Sequence, residues 1–357
     1  MGLSPSRSAP TPPSLQQVAV LVEERLTALF DDELTRWTDL TPDLAAPLES
    51  LRALVMAGGK RLRPAFCFWG FVGAGGDPDD PVVIDAGAAF ELLQAFALVH
   101  DDVMDGSATR RGSRTAHLAF ADRHQLEVWR GEGRRFGEGV AILIGDLAHV
   151  YADLLLRETG PEVLRVWDEL RIELNVGQYL DILGTARGDT DPEGARRIAR
   201  YKSGKYTIER PLHVGAALAG RYDELGPALS GYGDPLGEAF QLRDDVLGAF
   251  GEGTITGKPV GDDLREGKPT PLLASASGAA DAAQRAVLDR IGADDLGDDE
   301  IVAIQRVLRD TGALDDIEAR IEQLTTSAIE AIEAADVTDE ARTALVDLAR
   351  FVAWRET

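Results

Sequence analysis

Apolar residues recur at three- and four-residue intervals along most of the chain, as in Val18, Leu21, Val22, Leu26 and Phe30, then Leu44, Leu48, Leu51, Leu54 and Val55. That spacing gathers them on one face of an α-helix. The same period runs through 82–104, 138–156, 162–184, 193–218, 235–248, 270–276, 281–292, 298–309, 313–334 and 338–354, with Gly, Pro and Asp clusters between. No stretch shows the strict alternation of strands. Breaks such as Gly73 to Pro78 and Gly251 to Gly253 have the length of interhelical loops, and no linker divides the chain. The pattern predicts one all-α domain over residues 15–357, although a chain of 357 residues suggests two by default. Residues 1–14, rich in Pro and Ser and without the apolar run of a signal peptide, read as a disordered tail. Segment 122–137, with Trp129 and Arg134-Arg135 among glycines, interrupts the period and is expected to be an exposed loop or mobile insertion.

Composition narrows the picture. A hydrophobic content of 44% supplies a substantial core, and a formal charge of -24 argues against nucleic acid and against anionic membrane surfaces. The single cysteine, Cys67, excludes an internal disulfide and fits a reducing cytoplasm as a small core residue. No run of about 18 uninterrupted apolar residues proposes a transmembrane helix. The expectation is a soluble, cytoplasmic protein.

The chemistry concentrates in two near-copies of one acidic pattern, Leu98-Val99-His100-Asp101-Asp102-Val103-Met104-Asp105 and Gln241-Leu242-Arg243-Asp244-Asp245-Val246-Leu247-Gly248. In a helix, Asp101 and Asp105 share a face with Cβ atoms roughly 5–6 Å apart, so both carboxylates can address one ion. Hard oxygen donors suit Mg2+, which takes one or two carboxylates, keeps several waters and completes its shell with substrate phosphates. A phosphate ester is the implied substrate. Asp-Asp pairs are common in a chain with 61 acidic residues, and alone they read as a solvated face. Two things change that. The apolar run from Glu91 to Val99 places Asp101 at the end of a buried element, where a carboxylate must be paired or metal-bound. The scarce cations, meanwhile, gather in Gly58-Gly59-Lys60-Arg61-Leu62-Arg63-Pro64, Thr109-Arg110-Arg111-Gly112, Lys202-Ser203-Gly204-Lys205, and Gly257-Lys258-Pro259 through Lys268. Glycines beside cations make an anion cradle.

In their order, these motifs together with Gly177-Gln178-Tyr179-Leu180-Asp181 closely resemble the trans-isoprenyl diphosphate synthases, the farnesyl, geranylgeranyl and polyprenyl enzymes, over residues 45–275. The resemblance implies the isoprenoid synthase type I fold, a large antiparallel helical bundle around a central cavity. It also implies a homodimer and Mg2+-dependent head-to-tail condensation of isopentenyl diphosphate onto allylic diphosphates. By the same resemblance, Asp101 and Asp105, supported by Asp102, bind metal from one wall, and Asp244 with Asp245 from the other. Arg110, Lys202 and Lys258 hold the allylic diphosphate. Lys60, Arg63, Arg111 and Gln94 hold isopentenyl diphosphate; Gln94 lies two helical turns before Asp101, on its face. Gln178, Asp181, Ser203, Gln241 and Lys268 line the substrate site. The final proton goes to the departing diphosphate, so no His base is expected, and His100 is given a structural role.

Gly248 stands where many members of that family have a third Asp. In the family, bulky residues four and five places before the first motif limit product length; here these are Ala97 and Phe96. Phe96 points to a C15–C20 product, leaning to geranylgeranyl diphosphate, although a helical wheel puts Ala97 rather than Phe96 on the Asp101 face. The alternatives are a longer-chain polyprenyl synthase, a class I terpene cyclase, or a non-catalytic subunit of a heteromeric synthase. The cyclase has no use for Lys60, Arg63 and Arg111; the missing Asp gives the non-catalytic subunit some support, and the retention of Asp101, Asp105, Asp244 and Lys202 speaks against it.

Overall fold

The computed structural model describes residues 9–187, 194, 200–251, 261–293 and 295–355, without the side chains of 185 and 202. Helix α1 (Pro13–Thr38) leads through a short 3-10 turn (Pro42–Leu44) into α2 (Ala45–Met56), α3 (Leu62–Gly73) and α4 (Pro81–Asp105). A small hairpin, β1 (Thr109–Arg110) and β2 (Ser113–Arg114), separates α4 from α5 (Ala116–Leu126). Then come α6 (Gly133–Leu156), α7 (Pro161–Arg187), a π-helix (Arg200–Glu209), α8 (Arg210–Leu218) and α9 (Tyr222–Phe250). The chain closes with α10 (Asp262–Glu266), α11 (Pro271–Ala279), α12 (Ala282–Leu288), α13 (Asp298–Asp310), α14 (Ala313–Ala334) and α15 (Asp339–Trp354).

The all-α expectation holds. The apolar stripes meet in one core that runs from Leu15 on α1 to Ala353 on α15. Pro at a first helical position starts α1, α4 and α11, where its missing N–H costs nothing and its fixed φ suits the helix. The helix start at Pro13 lies inside the stretch expected to be a tail, and the Ala9 N–H donates to the Trp354 carbonyl at 3.3 Å; residues 1–8 lie outside the described residues.

One expectation fails. Segment 122–137 is mostly helical: α5 reaches Leu126, α6 begins at Gly133, and only the residues between them form a loop. Its aromatic residues explain this, because Trp129 and Phe136 pack edge-on at 5.2 Å and His124 joins both. Gly137 has its own reason: a Cβ there would overlap the His117 carbonyl of α5. A close helix contact therefore looked like a break in the sequence. Helices α4 and α6 are long and apolar enough to cross a membrane by length and composition, although polar residues interrupt both. They pack against each other within the bundle.

Candidate active site

The first acidic motif occupies the last turn of α4. Carboxylates at a helix C-terminus face the negative end of the helix dipole, so cations must balance them. The hairpin after α4 delivers one. Its two central residues, Arg111 and Gly112, have φ of 51° and 75°, the left-handed conformation a tight hairpin turn requires, and Arg110 is thereby turned back onto the motif. Arg110 donates to Asp102 Oδ1 from Nε at 2.9 Å and from Nη2 at 2.6 Å, and lies 3.6 Å from Asp101 Oδ2. Asp102 is only 3% exposed, and burial holds its carboxyl above the usual range against the pull of Arg110. Gln178 on α7 donates to Asp101 Oδ1 at 2.9 Å, joining α7 to the same corner. Asp105 and the Met104 side chain face outward, and Asp181 follows Gln178 one turn later on α7.

The second motif lies near the C-terminal end of α9. Asp244 is partly exposed, whereas Asp245 is 2% exposed and accepts from Gln241 at 3.0 Å. Burial pushes the Asp245 carboxyl up to about 6, with Lys268, 3.6 Å away, opposing. Lys268 also reaches Asp263 of α10 at 3.4 Å. Burial pulls the Lys268 ammonium down, but Asp245, Asp263 and Asp244 together hold it above its ordinary value. Gly248 explains the missing carboxylate: a Cβ at that position would overlap the carboxylate of Asp263, which fills the space a third Asp would enter.

Between the walls stand the cations of the α2–α3 connection. Gly58 and Gly59 have φ of 90° and 146°, and a Cβ on Gly59 would lie 3.3 Å from the Arg111 guanidinium. Arg111 donates to the Leu54 carbonyl at 3.0 Å; burial and the neighbouring Arg61, Arg63 and Arg110 lower its pKa while Glu91 opposes. Arg63 lies over the Tyr206 ring at 4.3 Å and donates to Thr207 at 2.9 Å, while its buried Nε has no partner among the described residues. Arg61 differs from its neighbours. It is 2% exposed, pairs with Glu91 and Glu23, and ties the Val55 carbonyl at 2.9 Å, so it holds the loop together. Lys60 is pulled down to about 8, first by burial and then by Arg355, with Asp244 opposing. Gln94 is half-buried on α4.

Two features escaped the sequence reading. Arg355, past the end of α15, is 2% exposed, lies over the Phe240 ring at 4.3 Å and pairs with Asp244. No local motif marks it; only the tertiary fold brings it to Asp244. Ser203 and Gly204 sit in a π-helix, where a Cβ on Gly237 would come within 2.8 Å of Gly204 Cα. The side chain of Lys202 and all of Lys258 lie outside the described residues. His100 meets the Ile142 carbonyl at 3.0 Å across α4 and α6, a packing contact. Cys67 is buried, which raises its thiol pKa.

Polyprenyl synthetase is the family whose model matches residues 46–308. The chain belongs to that family. It is a prenyltransferase of the prenyl diphosphate synthase class, with the isoprenoid synthase fold. A geranylgeranyl pyrophosphate synthase from Corynebacterium glutamicum, solved with isoprenyl diphosphate and magnesium, is 38% identical, with 96% of this chain and 99% of that one covered at a TM-score of 0.87. A Caulobacter crescentus polyprenyl synthase, solved with calcium and isoprenyl diphosphate, is 27% identical, with 99% and 100% covered and a TM-score of 0.81. The geranylfarnesyl diphosphate synthase of Aeropyrum pernix is 33% identical, with 82% of this chain and 88% of that protein covered.

A divalent metal accompanies isoprenyl diphosphate in those two structures. The residues here fit such an ion. Their donors are carboxylate oxygens on two walls, and Gly248 leaves a space into which the Asp263 carboxylate projects. Among the described residues no three His, Cys, Asp or Glu side chains gather as one ready-made cage. That suits an ion that takes one or two carboxylates and fills its shell with water and phosphate.

Proposed function

We propose that this prenyl diphosphate synthase condenses isopentenyl diphosphate with an allylic diphosphate to give a linear C15–C20 product, with geranylgeranyl diphosphate favoured. The observation that carries the reading is the pair of acidic helix ends, Asp101 to Asp105 and Asp244 to Asp245, with a separate cation group at Lys60, Arg63 and Arg111. One anion site serves the leaving diphosphate and the other the substrate that keeps its diphosphate. A cyclase needs only the first.

Bound Mg2+ would neutralise the diphosphate that leaves. Asp101, Asp105 and Asp244 would hold the ions, and Asp102 would fix Arg110 beside the same phosphates. Lys202, Lys258 and Lys268 complete the allylic site. Lys60, Arg63, Arg111 and Gln94 would orient isopentenyl diphosphate with its alkene toward C1 of the allylic partner. The allylic C–O bond breaks, the alkene electrons form the new C–C bond, and the diphosphate that left accepts the lost proton. Gln178, Asp181, Ser203 and Gln241 line the allylic side. Asp263 beside Gly248 removes the argument for a non-catalytic subunit, because a carboxylate is present at that corner.

We also infer a homodimer. Ile142, Leu143, Val150 and Leu154 on α6 and Ile172, Val176, Tyr179 and Ile182 on α7 are exposed, more apolar surface than a monomer usually leaves on neighbouring helices.

Incubation with Mg2+, labelled isopentenyl diphosphate and C5, C10 or C15 allylic diphosphates tests the reaction. A linear prenyl product is expected, and Asp101→Ala lowers its rate by at least about a hundredfold, the scale for losing an electrostatic stabiliser. Cyclic hydrocarbon, or no elongation from any starter, rejects the reading.

A further inference from the structure

The cations around the site are held in different ways. Arg61 is paired with Glu91 and Glu23, and Arg110 with Asp102, so carboxylates cancel much of their charge. Arg63 is held by neutral groups. Its Nη2 donates to the Thr207 hydroxyl at 2.9 Å, and its guanidinium lies over the Tyr206 ring at 4.3 Å. Neutral partners fix a guanidinium and leave its charge for an anionic ligand.

Ring and hydroxyl control different freedoms. The ring face sets the plane of the guanidinium, and the hydroxyl sets its rotation within that plane. Both partners are themselves immobile, with Tyr206 3% and Thr207 0% exposed. They lie on the π-helix (Arg200–Glu209), and Thr207 is 144 residues from Arg63 in the chain. Lys205 before the pair and Arg210 after it both bind Glu173 of α7. Gly204 packs against Gly237 of α9 too closely for a Cβ. The support of Arg63 is thus anchored to two further helices. The same π-helix carries the Lys202-Ser203 motif assigned to the allylic diphosphate, so one element meets both substrate sites.

An unrestrained arginine samples many rotamers, and fixing one in advance removes that entropy cost from ligand binding. We propose that Thr207 and Tyr206 are positioning residues for isopentenyl diphosphate: they hold the Arg63 guanidinium oriented and uncancelled before the substrate arrives. The proposal rests on the condensation reading above, which gives Arg63 to that diphosphate.

Calorimetric titration with isopentenyl diphosphate in the absence of metal tests it, followed by steady-state kinetics with Mg2+. Thr207→Val keeps the shape and removes the acceptor; Tyr206→Leu removes the ring. Each is expected to weaken isopentenyl diphosphate binding at least about fivefold, the scale for losing one contact to a charged group. KM for that substrate should rise by the same factor, with KM for the allylic diphosphate unchanged, and Thr207→Ser should restore both values. In an Arg63→Met background Thr207→Val should add nothing, because its effect passes through the guanidinium. Thr325 of α14, also buried and bonded to the Ile321 carbonyl of its own helix at 2.7 Å, supplies the control: Thr325→Val should leave binding unchanged. Wild-type affinity in folded Thr207→Val and Tyr206→Leu overturns the proposal. So do equal rises in KM for both substrates, or a full Thr207→Val effect without Arg63. Tyr206→Leu and Thr207→Ser keep the test open if Thr207→Val does not fold. A wild type that binds no isopentenyl diphosphate would reject the condensation reading, and the proposal with it.

Discussion

Single residues do their work here through the company that folding gives them. Lys60 is one of three cations in four residues, and burial and the nearby Arg355 guanidinium pull it down to about 8. For a lysine whose folded pKa lies below the ordinary 10.5, the charged form is penalised at lower pH, and the penalty is relieved as pH rises from about 8 toward 10.5. Substrate binding has the opposite interest, since only the ammonium holds a diphosphate. KM for isopentenyl diphosphate should therefore climb above pH 8 while kcat stays level, and Lys60→Arg should flatten that climb. An unchanged pH profile in the arginine variant would remove Lys60 from the second-substrate site. Gly248 shows the same dependence on neighbours. Restoring the aspartate common in the family would drive a carboxylate into Asp263, and overpacking costs about 1–3 kcal/mol even before charge repulsion. Gly248→Asp should lower the urea midpoint, and adding Asp263→Gly should recover it; an undisturbed single variant would show that Asp263 swings freely.

At the level of elements, the π-helix (Arg200–Glu209) carries the Lys202-Ser203-Gly204 motif and is clipped to α7 by Glu173. That buried carboxylate accepts from Lys205 at 2.7 Å and from Arg210 through Nε and Nη2 at 2.7 Å each. Burial raises the Glu173 pKa, but the bonds from Arg210 and Lys205 outweigh it and leave the carboxyl below 4.5. A depressed acid stabilises the fold above its unfolded pKa, and that contribution is lost as pH falls through the folded value. Glu173→Gln should thus cost on the order of 3 kcal/mol near neutral pH, the scale for breaking a buried ion pair, and less once wild-type Glu173 is protonated. Equal losses at pH 7 and pH 3, measured by urea unfolding, would mean that shape rather than charge sets the cost. Helical period in the sequence located most such elements but missed α3, which is buried on nearly every side and so carries no polar stripe, as well as α5 and the short α10. It could not show the π geometry, nor the close approach of Gly204 to Gly237, which joins elements distant in the chain. Segment 122–137 misled for a related reason: its glycines serve α5–α6 proximity, and glycine reads locally as a break.

The whole molecule presents an apolar face on α6 and α7 that its own core leaves uncovered, with Leu143 at 62% and Tyr179 at 63% exposure. If a second copy covers it, Leu143→Asp should move the sedimentation of the protein from dimer to monomer with helicity intact. A monomeric wild type would withdraw the dimer. Much of the chemistry was legible in one dimension. Periodicity marked most of the helices, because a helix face is set by residues three and four apart. The local spacing of Asp101 with Asp105 and of Lys60 with Arg63 determined which side chains travel together. What tertiary structure alone decided is which of these groups meet across the chain. It made Arg61 a buried strut and laid Arg63 over the Tyr206 ring, although they are two residues apart. It brought Arg355 to Asp244 and Asp263 into the space left by Gly248. It set His149 and Arg171 beside Phe96. Spacing along a helix is a property of the local backbone; burial, charge pairing and steric exclusion between helices arise only when the elements pack.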